Sequence, residues 1–162
     1  MSIRTATLAS LTLAALALAA PASAEDKAEK ADVDHTQLVK YRQLEMGAIA
    51  RHFGAVKRIV KDEVDRKEDL AGHSAAIVDL ARDMVSQYPK GSGPKNYPKT
   101  DALPKIWDDA EGFAKAVADF EAAANELHEA AKGRDYTAAK AAFEKAGDQC
   151  GSCHDAFRKD DH

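Results

Sequence analysis

Apolar side chains recur along this chain in steps of three and four residues, in four separate runs. The first passes through Leu38, Arg42, Met46, Ile49, Phe53, Val56 and Val60, a spacing that turns one helical face inward. Asp34 and Gln37 precede it as a capping box, with Asp34 accepting from the first turn and Gln37 reaching back. The second run carries Leu70, Ser74, Ile77, Ala81, Met84 and Tyr88. The third is the most regular: Ile106, Ala110, Phe113, Val117, Phe120, Ala124, Leu127 and Ala131 read as a bundle seam. The fourth is Tyr136, Ala139, Phe143, Ala146, Cys150, Cys153 and Phe157. No segment alternates with period two over strand length.

The punctuation between runs fixes the connections. The charged run at 61–69 reads as a solvated turn, with Asp65 or Asp69 available to cap the second helix. Pro89, Pro94, Pro98 and Pro104, with Gly91 and Gly93, make 89–104 an irregular connection. A loop of that length inside a domain spans a distance or covers a site. Gly133 supplies a helix stop and Asp135 an N-cap, so the third and fourth helices are joined tightly. The expected fold is all-α, an antiparallel up-down-up-down four-helix bundle. Its seams are rich in alanine and poor in large side chains, which leaves room for something bulky.

Residues 1–24 read as a cleaved secretory signal: Arg4, an apolar run at 8–20, then Ala22, Ser23 and Ala24 as the cleavage box. Residues 25–34 are expected to form a polar mobile leader and 35–162 a single domain. The apolar run is too short for a membrane span, so no membrane insertion is expected after cleavage, and the expected location is the periplasm. Loss of Arg4 takes the formal charge from −4 to −5. An acidic surface argues against nucleic acid and anionic membrane as partners.

Both cysteines lie in "CGSCH", on the inward face of the last helix. Residues three and four apart share a helix face, so Cys150, Cys153 and His154 present two thiols and an imidazole to one object. C-x-x-C-H is the attachment signature for c-type haem, each thiol adding to a vinyl group and the histidine supplying an axial nitrogen. Three alternatives stand beside it. A redox dithiol expects a strand-to-helix context that this chain lacks. A disulfide within one helical turn closes too small a loop to stabilise much. Zinc would need a further ligand such as His128 or His162 at unorthodox spacing. His35, His52 and His73 show no paired spacing and read as surface or satisfied residues.

A C-terminal C-x-x-C-H on the last helix of an exported four-helix bundle resembles the class II c-type cytochromes, the cytochrome c′ and cytochrome c-556 group. The resemblance rests on "VKYRQLEMGAIARHFGAVKRIVK", "PKIWDDAEGF" and "CGSCHDAFRK" and covers nearly all of the chain after residue 24. It implies one haem c, with Cys150 and Cys153 as thioether attachment points and His154 as proximal ligand. It further implies Arg42 near a haem propionate, Arg158 over the proximal face, and Met46 at the distal side of the iron. A methionine there closes the sixth position in low-spin members, whereas an aliphatic residue leaves it open in high-spin ones. The expectation is a periplasmic one-electron carrier with His154 and Met46 as axial ligands and redox proteins as partners. The alternative is a five-coordinate cytochrome binding NO or CO. No acid, base or nucleophile set at telling spacing supports an enzyme. Met84 has no counterpart in the resemblance and reads as core. The resemblance also leaves room for a homodimer through the first two helices.

Overall fold

Each apolar stripe is helical over most of its length in the computed structural model, which describes residues 33–159. The expected signal segment, nearly all of the leader, and residues 160–162 with His162 lie outside the described residues. Helix α1 spans Thr36–Val60, α2 Leu70–Ala81, α3 Lys105–Asp108, α4 Ala110–Lys132 and α5 Tyr136–Phe157. The four long helices form the antiparallel bundle, and among the described residues the only extended pairing is one bridge between Ala102 and Arg158.

The start of α1 is held differently from the expected capping box. Asp34 Oδ1 accepts from the Thr36 amide at 2.9 Å. The backbone N–H of His35 donates to the Tyr97 hydroxyl at 2.5 Å, so a loop tyrosine does what Gln37 was expected to do. At α2 neither expected acid caps. Asp69 stands at the N-cap position without a side-chain cap bond, because its carboxylate binds the Arg66 guanidinium at 2.6 Å. The second stripe also breaks early. Asp83 takes a left-handed φ of 61°, and the chain continues as a 3₁₀ turn, Met84–Gln87, that still buries Met84.

The third stripe divides into α3 and α4 at Asp109, whose side chain accepts from the Gly112 amide at 3.0 Å and starts a new helix there. Ala110 is therefore exposed rather than buried. After α4, Gly133 caps the end with φ −74° while Arg134 takes the left-handed turn at φ 57°. Asp135 caps α5 as expected, accepting from Ala138 N at 2.9 Å.

Leu70, Ile77, Val56 and Leu127 are fully buried at the centre, and a side chain of this size contributes roughly 1.5–3 kcal/mol on leaving water. Val39, Ile59 and Ala123, absent from the stripes above, are buried as well. Helix α5 packs closely along α4, and α2 against both α1 and α4, whereas α1 and α5 touch sparingly. The site lies between those two. No helix among the described residues is long and apolar enough to cross a membrane.

Candidate cofactor site

Where α1 and α5 separate, a cavity of about 720 Å³ opens, within the range of about 300–1,000 Å³ usual for small-molecule and cofactor sites. Its walls are mostly apolar: Ile49 and Phe53 from α1, Val117 and Phe120 from α4, Phe143 from α5. Phe53 and Phe143 stack across the helix gap with centroids 4.4 Å apart, and the Phe53 ring lies against α5 beside Gly147. Cys150, Cys153 and His154 line this cavity together, as the helical spacing predicts. A second cavity of about 290 Å³ adjoins it, sharing Met46, Met84, Cys153, His154 and Arg158 and adding Arg42 and Tyr88.

Both cysteines are free thiols and half-buried. Burial, followed by the neighbouring Cys153, pushes the Cys150 thiol up to about 11, and burial raises Cys153 too. A redox dithiol needs the opposite shift, toward a stabilised thiolate. The two sulfurs are thus neutral groups facing an apolar void, suited to be consumed by bond formation to an apolar partner. Burial and then the Arg158 charge hold the His154 imidazole below its usual value, with Asp155 opposing. It is neutral at pH 7 and its ring nitrogen is available as a donor. Among the described residues no group of three or more His, Cys, Asp or Glu could hold a metal ion. His128 is engaged with Ser74 Oγ at 3.1 Å instead, so the zinc alternative finds no support within them.

Arg42 is not a surface residue. It is 3% exposed, and its terminal nitrogens donate to Ser92 Oγ at 2.9 Å, Ser92 O at 2.9 Å, Thr100 Oγ1 at 3.0 Å and Gln87 O at 3.3 Å. Its guanidinium carbon lies 4.4 Å over the Tyr88 ring. The fork clamps the loop at 88–100, and burial lowers its affinity for its proton while the Tyr88 phenol raises it. All its acceptors are neutral, and it makes no ion pair with a described residue; Asp101, an exposed carboxylate, also lines the smaller cavity. A carboxylate-bearing ligand there would give the buried cation a direct countercharge.

Met46 lines both cavities from α1, opposite His154 on α5. Met84 lines both as well, while buried in the core as expected. Arg158 lines both, and its amide donates to His154 O at 2.9 Å. Sequence reasoning missed Ser92, Thr100, Tyr97 and Trp107. Trp107 Nε1 donates to the Tyr88 and Pro89 carbonyls at 3.0 and 2.9 Å and holds the same loop. It also missed the facing of His52 and His73, whose Nδ1 atoms approach to 3.0 Å across α1 and α2. The residues are 21 positions apart, and no local pattern announces the pair.

The donor set therefore fits a covalently held macrocycle: two neutral thiols and a neutral imidazole on one helical turn, an apolar chamber between helices, and a buried cation without an ion pair beside it. Comparison with known proteins agrees. Residues 37–158 match the family model described as Cytochrome C'. The chain is 33% identical over 122 residues to cytochrome c' of Rubrivivax gelatinosus, covering 75% of this chain and 93% of that one. It is 30% identical over 127 residues to cytochrome c-554 of Cereibacter sphaeroides, covering 77% and 95%. Its fold is similar to the nitric oxide complex of a mutant cytochrome c prime from Alcaligenes xylosoxidans, with a TM-score of 0.69, 30% identity and coverage of 76% and 94%.

Proposed function

The chain belongs to the cytochrome c′ family of class II c-type cytochromes, haem-binding four-helix bundles, and on that premise we propose that it is an exported one-electron carrier in which Met46 and His154 are the two axial ligands. Haem c, when bound, supplies reversible Fe(III)/Fe(II) exchange, and thioether with imidazole ligation raises its potential. Cys150 and Cys153 hold the macrocycle by thioether bonds. His154 offers a ring nitrogen kept neutral by burial. The apolar walls exclude water, and Arg42 and the adjoining Arg158 offset the negative charge of the propionates. Residues 1–24 direct export to the periplasm.

One observation carries the ligand assignment: Met46 borders both cavities from α1 as His154 does from α5, and it is half-buried there whereas Met84, the other methionine at both cavities, is buried in the core, so a flexible thioether and an imidazole share the same space. The reduced protein should give the sharp, split visible bands of six-coordinate iron, and Met46→Ala should convert them to a broad, merged high-spin band. A low-spin spectrum that survives the substitution would overturn the assignment. A second reading, an open distal site for NO or CO, draws on the nitric oxide complex formed by the Alcaligenes relative. It is favoured instead if the wild-type ferrous spectrum is already high-spin and carbon monoxide binds without displacing a ligand.

A further inference from the structure

The charge around the mouth of the larger cavity runs against the charge of the chain. The whole sequence has 27 acidic and 23 basic residues. The cavity is bordered by Lys57, Lys61, Lys140 and Arg158 with Glu144 as its only carboxylate. Arg51 and Arg58 adjoin through a shallow depression that Lys57 shares. Lys57, Lys61 and Lys140 are exposed and make no ion pair with any described residue; Lys40, Lys90, Lys95 and Lys99 elsewhere make none either, so what sets the rim apart is that its cations gather around one cavity. Complementing the helix dipole accounts for Lys57 and Lys61 at the end of α1. It does not account for Lys140, which stands near the positive, N-terminal end of α5.

We propose that this cationic rim is the docking surface for an acidic redox protein, which seats a carboxylate-rich patch over the cavity mouth. This rests on the electron-carrier reading and names its partner class. The rim follows the mouth of the cavity and includes Glu144, and beside it Glu63 pairs with Arg58 at 3.6 Å. A compact acidic patch meets Lys57, Lys61 and Lys140 against one carboxylate, Glu144. An extended anionic surface such as a bilayer would also meet the surrounding carboxylates. A footprint of this kind suits the small, transient interfaces of electron transfer.

The sign of the salt dependence tests it. The reduced protein passes one electron to ferricyanide, which becomes ferrocyanide, or to tris(phenanthroline)cobalt(III), a cationic acceptor. If the rim governs encounter, the ferricyanide rate falls about fivefold between roughly 10 mM and 0.3 M ionic strength, and the cobalt rate rises. Net charge alone dictates the reverse, and that result overturns the proposal. Calorimetric titration with poly-L-glutamate gives a second readout. Binding should weaken at least about tenfold in the Lys57→Glu, Lys61→Glu, Lys140→Glu variant and persist in Lys95→Glu, Lys115→Glu, Lys132→Glu, which has the same net charge. Equal loss in both variants, or capture by phosphatidylglycerol vesicles without affinity for poly-L-glutamate, overturns it. A haem-free preparation that still binds poly-L-glutamate at the rim sinks the electron-carrier reading and leaves the surface standing. A red protein with the wrong salt sign does the opposite.

Discussion

Replacing Arg42 by methionine should cost the fold about 3 kcal/mol, a value that follows from where the guanidinium donates. The methionine keeps most of the apolar stem and removes the four N–H bonds to Gln87, Ser92 and Thr100. Ser92 and Thr100 are 0% and 2% exposed, so water does not replace the lost donors. Thr100 Oγ1 keeps the Ala102 amide at 3.3 Å; Ser92 O keeps nothing comparable. The stranded Ser92 carbonyl costs about 1–3 kcal/mol, the two hydroxyls less because each keeps one bond, Ser92 Oγ donating to Pro89 O at 2.9 Å, and loss of the contact over Tyr88 adds about 1 kcal/mol. Release of a buried cation from its desolvation penalty offsets part of this. The net value corresponds to a fall of about 10 °C in Tm for a domain of this size. Thermal unfolding of the holoprotein measures it. Hydrogen exchange should show Tyr97 and Thr100 losing protection, since their amides bond Gly93 O and Tyr97 O within the loop that Arg42 clamps. A loss below about 1 kcal/mol with those amides unchanged would refute the reasoning. Arg42→Lys should not rescue, because an ammonium lacks the planar fork.

Other perturbations follow from the same packing. In Gly93→Ala the new Cβ would stand 2.9 Å from Trp107 Cζ3, and moving an indole that is hydrogen-bonded to two carbonyls should cost about 1–3 kcal/mol in guanidinium unfolding. Leu127→Ala at the fully buried centre of α4 should cost about 3 kcal/mol by the same measurement, with the visible spectrum unchanged. Burial pushes the Tyr88 phenol above its usual value, with Arg42 opposing. The folded state therefore holds that proton more tightly than the unfolded chain. The stability it contributes is complete below the ordinary tyrosine pKa of about 10 and is lost as pH rises through the folded value. Guanidinium midpoints at pH 8 and 11 should converge more closely in Tyr88→Phe than in the wild type, and equal losses in both proteins would contradict this.

The helices were legible because each buries one stripe, and a stripe is a local, periodic signal. Two interruptions were not. Asp83 and Asp109 stand within runs whose apolar spacing continues past them, and period counting carries straight on. At Asp109 the competing signal was present: an acid three residues before Gly112, whose amide it caps. At Asp83 the break depends on a left-handed φ at a non-glycine residue, which tertiary contacts impose and no local rule announces.

The site divides along the same line. Cys150, Cys153 and His154 lie within five residues of one helix, so their common facing follows from helical geometry alone. The chamber they face is made by three helices, and its signature is a pattern of partial exposure. On α1, Val56 and Ile59 are buried, while Met46, Phe53 and Val60 remain half-exposed and line the cavity. The sequence stripe sets Met46 apart from ordinary core choices but does not distinguish Phe53 and Val60 from Ile49 and Val56, which neighbouring helices bury. Scattered half-buried apolar residues are ordinary on a protein surface. Here they converge from separate helices on one enclosed space, together with the attachment thiols, which is the arrangement a large apolar ligand requires. Arg42 belongs to that arrangement as well: a lone cation on an apolar stripe signals acceptors opposite, and only the folded loop identifies them as Ser92 and Thr100.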